Sequence, residues 1–488
     1  MIENIFKSAV IHHSKKNFSK AKEIYENLLK SNPNNINILQ NYGTLLSQIK
    51  EYKKADDVFK KCLKIKPKDS LLLYNYGKFF HDQKIFEKAI KFYKESFKLN
   101  SKNDLALYNI GNIYFSENKF EEAITSFKKA IEVNPSNSKA YNNIGIAYKR
   151  IGNFDEALKF YRKAIDKNKD YVDAHVNYST MLLTTNKLKD GLEEYEWRKK
   201  SKSFFDYIDY QSLNLKSKVW NGEDLNNKKI FIIAEQGIGD LIQFTRYLYL
   251  LRNKYKTEII LKIKVKNFSH FFNPKDFNII SDDHTIPKHD YHVFMVSLPR
   301  IFFKTDEIFC KSVNFFQSDQ KTKIKWKTKL ADSQGIKIGI HWSTSSLMPE
   351  RNFPLERFIE LSKDIDASFF VLQKDLNTNE INTISKNKKI FYFSDMDKSK
   401  KAFVDSIEII RNLDLVITSD TAVAHLSATL DKKTWIALPF VADWRWFTNK
   451  KDTQWYPNVT LYRQKKIGDW KEIFHVIRED LKKEFLNK

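Results

Sequence analysis

The sequence predicts a multidomain chain of α and α/β parts: an all-helical repeat solenoid first, then two Rossmann-like α/β lobes. Three observations predict it. Small residues recur every 34 positions at Gly43, Gly77, Gly111 and Gly145. The run from Ile230 to Ala234 is short and apolar, and it is followed at once by two glycines and then by apolar residues at helical spacing, as at the start of an open α/β unit. The same strand-then-helix pattern restarts near Gln334 with Ile336 to His341, so a second lobe is expected.

The repeat has further registers. Ala9 and Ser179 extend the glycine series. Ala21, Ala55, Ala89, Ala123, Ala157 and Gly191 form a second register, Tyr25, Phe59, Tyr93, Phe127, Tyr161 and Tyr195 a third, and Phe18, Tyr52, Phe86, Phe120, Phe154 and Leu188 a fourth. Pro33, Pro67 and Pro135 fall at repeat ends. Small residues let two helices approach, and aromatics fill the space between units. This is the tetratricopeptide pattern, in about six repeats over residues 2–200. Such solenoids have a concave face that takes extended peptides. Asn41, Asn75, Asn109 and Asn143, one per repeat, have two readings: a ladder of contacts to a peptide backbone, or residues that cap and pack the helices. Residues 201–227 break the period and read as a packed, aromatic linker.

Composition narrows the function. With 42% hydrophobic residues the chain can build cores. Cys62 and Cys310 stand far apart, which fits a reducing compartment and argues against a disulfide framework or a cysteine metal site. No apolar run reaches the roughly 18 residues of a membrane span, and the first residues lack the apolar core of a secretory signal, so a cytoplasmic protein is expected. The net charge of +24 is spread as scattered lysine, without an arginine run or a nucleic-acid motif, and no nucleic-acid partner is expected.

The first lobe is assigned to residues 228–333. Its opening strand runs into Glu235-Gln236-Gly237-Ile238-Gly239-Asp240, where glycines permit a tight bend and a close approach. Leu241, Phe244, Leu248 and Leu251 continue as a helix. Asp240, where that helix begins, is either an N-terminal cap or a carboxylate of the cleft. Strands are expected at 258–264 and 291–298, the latter ended by Pro299. Between them Asp282, Asp283, His284, His289, Asp290 and His292 are metal-ligand types, but their spacing matches no known site, and no metal is expected.

The second lobe is assigned to residues 334–484. Strands are expected at 369–373, 390–393, 413–418 and 434–438, and helices at 354–365 and 403–412. Its clearest chemistry is Ser419-Asp420-Thr421-Ala422, where a strand ends and a helix of small residues begins. The first amides of such a helix are unpaired and its N-terminus is partly positive, so a phosphate fits there. His425, in the first turns, either donates to a diphosphate oxygen or is a core histidine. Asp420 repels phosphate and is expected to cap the helix or to accept a sugar hydroxyl.

Residues 228–465 resemble the heptosyltransferase-like enzymes of glycosyltransferase family nine, in the form fused to tetratricopeptide repeats. The resemblance is carried by AEQGIGDLIQFTRYL at 234–248, YHVFMVSLPR at 291–300, GIHWS at 339–343, RNFPLERF at 351–358, VLQK at 371–374, the long match at 414–447 and WYPNVTLYRQ at 455–464. It implies a GT-B fold and metal-independent, inverting transfer of a sugar from a nucleotide sugar, with no other cofactor. Carried over residue by residue, it implies Asp240 as general base. Donor binding falls to Arg351, Lys374, Ser419, Asp420, Thr421, Ala422 and His425. Gly237, Gly239, Gln243 and His292 lie on the acceptor side. The acceptor implied is a glycan, a lipid-linked sugar or a protein. Ala422 departs from the glycine usual in heptosyltransferases, which puts the accepted donor in question. The cluster Asp443-Trp444-Arg445-Trp446 is read as lobe packing or acceptor stacking. The competing reading is a peptide-binding scaffold with a degenerate transferase half. A redox enzyme is disfavoured because no GxGxxG follows a strand.

Overall fold

A computed structural model describes residues 2–202, 204, 213, 215–264, 266–280, 285–331, 333, 335–344, 348–399 and 401–486. The chain forms two compact units, Met1–Asn177 and Tyr178–Lys488.

The first unit is all helical. Its antiparallel pairs are α1 Ile2–Ser14 with α2 Phe18–Ser31, α3 Ile36–Gln48 with α4 Tyr52–Ile65, α5 Ser70–Asp82 with α6 Phe86–Leu99, α7 Asp104–Ser116 with α8 Phe120–Val133, and α9 Ser138–Arg150 with α10 Phe154–Lys167. The small and aromatic registers meet inside each pair. A β-carbon on Gly43, Gly77, Gly111 or Gly145 would stand 3.2, 2.8, 2.5 or 2.6 Å from the ring of Phe59, Tyr93, Phe127 or Tyr161. Each tight turn within a pair needs one left-handed residue, and Lys16, Lys50, Lys84, Asn118 and Gly152 supply it, 34 positions apart. Asn17, Asn35, Asp69, Asn137 and Asn153 cap helix N-termini through their side chains. Asn109 donates to the Tyr74 hydroxyl (2.9 Å), Asn143 donates to the Tyr108 hydroxyl (3.1 Å) and to Asn112 (3.0 Å), and Asn41 donates to the Asn37 carbonyl. The Asn109 and Asn143 bonds tie successive repeats together.

The second unit begins inside α11 (Val172–Thr184), ahead of the boundary near residue 200 that the repeat pattern suggests. The last pair ends in the short α12 (Leu188–Glu194) and a 3₁₀ turn, Tyr195–Lys200, and Leu183, Leu192 and Tyr195 share a core with the sheet residues that follow. Part of the aromatic linker, 203, 205–212 and 214, lies outside the described residues. Its end is part of the fold: β1 (Lys218–Val219) is a strand, and Trp220 and Leu225 are buried core.

The first sheet is parallel, in the order β1-β5-β2-β3-β4, with β2 Lys229–Ile233, β3 Glu258–Lys262, β4 Asn278–Ile280 and β5 Tyr291–Phe294. Helix α13, Ile238–Lys254, follows β2. The strand expected at 291–298 stops at Phe294. A 3₁₀ turn follows, then α14 (Leu298–Phe303), with Pro299 in its first turn, where a missing N–H costs nothing. The stretch 281–284, with Asp282, Asp283 and His284 of the acid–histidine cluster, lies outside the described residues. Helix α15, Gln320–Lys329, falls before the sequence boundary at 333, yet it packs with the second sheet's layer: Trp326 Nε1 donates to Asp405 (2.5 Å).

The second sheet is also parallel, in the order β11-β10-β9-β6-β7-β8. Its strands are β6 Ile336–His341, β7 Ala367–Val371, β8 Ile390–Phe391, β9 Leu415–Ser419, β10 Thr434–Leu438 and β11 Val459–Arg463. Helices α16 (Glu356–Asp364), α17 (Thr378–Ser385), α18 (Val404–Arg411), α19 (Ala422–Thr429) and α20 (Trp470–Leu481) flank it. The central strands β9 and β10 are buried along their whole length, as expected when both faces are covered.

Candidate functional site

Helices α13 and α19, which follow β2 and β9, pack on each other. The two sheets therefore bring the carboxyl ends of β2 and β9 to one seam. The glycines of the first turn serve contact rather than a left-handed bend: Gln236 takes the positive φ of 72°, while Gly237 is extended, with φ −84°. At Gly239 a β-carbon would lie 2.9 Å from Cδ2 of His425, so only glycine lets the α19 histidine reach α13. Asp240 stands in the first turn of α13, where its Oδ2 accepts from the Gly237 amide at 3.0 Å. It both caps the helix and faces the seam, with its side chain 18% exposed.

The other Asp240 oxygen binds Arg445, 205 residues away. Arg445 is the hub of the seam. Its Nε donates to Gln243 Oε1 (2.9 Å), its Nη1 to Asp443 Oδ1 (2.8 Å), and its Nη2 to Asp240 and Gln236. Trp444 and Phe244 lie against the guanidinium. Asp443 Oδ2 accepts from Arg351 Nη2 at 3.2 Å. Arg351 Nη1 donates to the Asp420 carbonyl at 3.3 Å and lies 3.3 Å from Asp420 Oδ2. Trp446 Nε1 donates to Asp420 Oδ1 at 2.7 Å. Two arginines thus thread three carboxylates. Burial pushes Asp240 and Asp420 up against the pull of those arginines, whereas Arg445 and Arg351 hold Asp443 well below the usual carboxylate range despite its burial.

Asp420 does not cap α19, because its carboxylate is spent on Arg351 and Trp446. Thr421, the N-cap residue, makes no side-chain cap bond either. The first amides of α19 therefore lack a side-chain cap, and the Ser419 hydroxyl beside them is buried without a hydrogen-bond partner. His425 is enclosed. Its Nδ1 bonds the Tyr456 hydroxyl at 3.1 Å, its ring stacks on Trp446 with centroids 5.3 Å apart, and burial pushes its pKa down to about 3. It is a neutral core ring at the seam, and phosphate contact requires its remaining nitrogen.

Gln243, fully buried, joins the cluster through Arg445. Lys374 is exposed beyond β7, outside the carboxylate–arginine cluster. His292 lies within β5, opposite Phe231, and bonds Ser217, so it is part of the sheet rather than of the seam. Sequence reasoning named Arg445 only within the Asp443-Trp444-Arg445-Trp446 cluster and missed its bond to Asp240 and the brace behind the turn. Glu235, which precedes Gln236, is buried and paired with Arg198 at 2.8 Å; Arg198 also donates to Ser297, and Tyr195 accepts from Gln236. The alternation of charge and tryptophan in Asp443-Trp444-Arg445-Trp446 was the available signal.

Tetratricopeptide repeat models match residues 2–35, 36–69, 71–103 and 138–171, and a TPR repeat model matches 111–152. The N-terminal region carries tetratricopeptide repeats. Among curated proteins, FlbA of Caulobacter vibrioides is 23% identical over 319 residues, 60% of this chain and 52% of that protein. The chain thus spans about half the length of the curated relative it matches. Among solved structures, MamA is 26% identical over 35% of this chain and 94% of its own, with a TM-score of 0.31. Pseudomonas aeruginosa pilF is 16% identical over 43% of this chain and 96% of its own, with a TM-score of 0.37. No helix among the described residues is long and apolar enough to cross a membrane.

Proposed function

We propose that the second unit is an inverting, metal-independent glycosyltransferase of the GT-B kind, and that the repeat array binds a protein or peptide partner or acceptor. One observation carries the reading. The turn after β2, with Asp240, and the turn after β9, with the uncapped start of α19, meet at one seam lined with arginine. In open α/β sheets, ligands sit at the carboxyl ends of strands, and helix N-termini with arginines suit a diphosphate. The donor would bind by the second sheet, its diphosphate against the α19 amides and Arg351. As the bond from the anomeric carbon to the leaving diphosphate breaks, positive charge grows on the sugar and negative charge on the leaving group, which the amides and arginines stabilise. An acceptor hydroxyl would attack from the opposite face and give its proton to Asp240. Its raised pKa suits a base, but both its oxygens are engaged, so Arg445 must first release Oδ1.

That engagement favours a second reading, a peptide-binding scaffold whose transferase half is held shut. Incubation with a panel of nucleotide sugars, with mass spectrometry of the sugar released or transferred, separates the two. Transfer or donor hydrolysis by the wild type that falls by roughly 10²–10⁴ in Asp240→Asn supports the enzyme. No turnover with any donor supports the scaffold.

A further inference from the structure

The Asp443 carboxylate occupies a position built for an anion. Its Oδ1 accepts from Arg445 Nη1 at 2.8 Å and from the Arg445 amide at 3.1 Å, and its Oδ2 accepts from Arg351 Nη2 at 3.2 Å. Two guanidiniums and a backbone amide converging on one pair of oxygens is the arrangement that also binds phosphate, since both anions accept from the same planar forks. The Arg445 side chain is only 7% exposed, so the site is structured rather than a surface patch. It adjoins the uncapped start of α19, because Arg351 also donates to the Asp420 carbonyl. Asp443 is the N-cap of a short 3₁₀ turn, Trp444–Trp446, and hangs from a loop rather than from a strand or long helix.

We infer that Arg351, Arg445 and the Arg445 amide form a binding site for a phosphate or diphosphate group, and that Asp443 holds it as an internal competitor which the ligand displaces. This deepens the donor reading above and rests on it only for the identity of the ligand. A strut between lobes and a competitor make opposite predictions. Removing the charge of a strut weakens everything around it. Removing the charge of a competitor tightens anion binding.

The test is calorimetry on the full chain with inorganic pyrophosphate, comparing wild type, Asp443→Asn and Asp443→Asn/Arg351→Met. Uridine and adenosine diphosphates form a second arm that separates a nucleotide site from a plain phosphate site. Asp443→Asn is expected to bind pyrophosphate about tenfold more tightly than wild type or better, the weight of one charge-assisted hydrogen bond regained. The double variant is expected to lose that gain. Equal or weaker binding by Asp443→Asn, or a gain that survives the loss of Arg351, overturns the inference. If Asp443→Asn does not fold, Asp443→Ser takes its place, with the melting temperature as readout. Failure of both to fold, unrescued by pyrophosphate, also overturns it, because Asp443 is then a strut. If wild type binds a nucleotide sugar while Asp443→Asn gains nothing, this inference falls and the transferase reading stands. If Asp443→Asn gains pyrophosphate affinity and neither protein binds a nucleotide sugar, the reverse holds.

Discussion

At Gly239 a single missing side chain sets the seam. A methyl there would meet the His425 ring at 2.9 Å, and that ring is fixed by Tyr456 and Trp446. Gly239→Ala is therefore expected to lower stability by about 1–3 kcal/mol, the cost of overpacking a fixed core. Gly239→Ala/His425→Ala should destabilise by less than the sum of the single changes, and additive losses in urea titrations would contradict the contact. His425 also predicts a pH dependence, together with His341, which burial pushes down to about 4 at the end of β6. Both rings stay neutral in the fold, while the unfolded chain protonates them near pH 6.5. The unfolded state therefore binds more protons below that pH. Their contribution is complete above about pH 6.5 and is lost as pH falls toward 4, by roughly 1.4 kcal/mol per pH unit for each ring. Urea midpoints at pH 7.5 and 5.5 measure the slope, and His425→Phe should flatten it. Asp240 and Asp420 could be singled out in the sequence because each borders a turn between strand and helix, and Arg351 only through the family resemblance. The cluster that holds Arg445 could be singled out too, but its pairing with Asp240 could not, because the partner lies 205 residues away and chain order carries no trace of the pair.

Among the elements, the turn after β2 leans on the 3₁₀ segment Tyr195–Lys200. Arg198 and Glu235 are both buried, with side-chain exposures of 5% and 1%, and Ser297 and Glu196 complete the network. Arg198→Met strands a buried carboxylate and is expected to cost about 3–5 kcal/mol, whereas Arg198→Met/Glu235→Leu should recover much of that loss. A loss below 1 kcal/mol in denaturant titrations of the single variant would show the pair to be marginal. The repeat helices were legible because a 34-residue period writes the same contact many times, as Gly111 against Phe127 and Gly145 against Tyr161 show. Their turns were less so: the left-handed position is held by lysine or asparagine at Lys16, Lys50, Lys84 and Asn118 and by glycine only at Gly152. The end of the strand at Phe294 was hidden because Met295, Val296 and Leu298 continue its apolar run in a 3₁₀ turn and a helix.

Taken as whole units, the two parts divide at Asn177 and Tyr178, and Leu183, Leu192 and Tyr195 belong to the core of the second. A fragment of residues 2–177 is expected to be helical and to melt cooperatively, since each repeat buries its neighbour; a random-coil circular dichroism spectrum would contradict that. In the second unit, both sheets are parallel and their helices α13 and α19 close on the arginine–carboxylate seam. Calorimetric titration of the full chain with a panel of nucleotide diphosphates and their sugars tests the proposed function most directly. The account predicts saturable binding of at least one of them, weakened in Arg351→Ala by about 1–3 kcal/mol, the range for a charged hydrogen bond. Absence of binding across the panel, or affinity indifferent to Arg351, would contradict it.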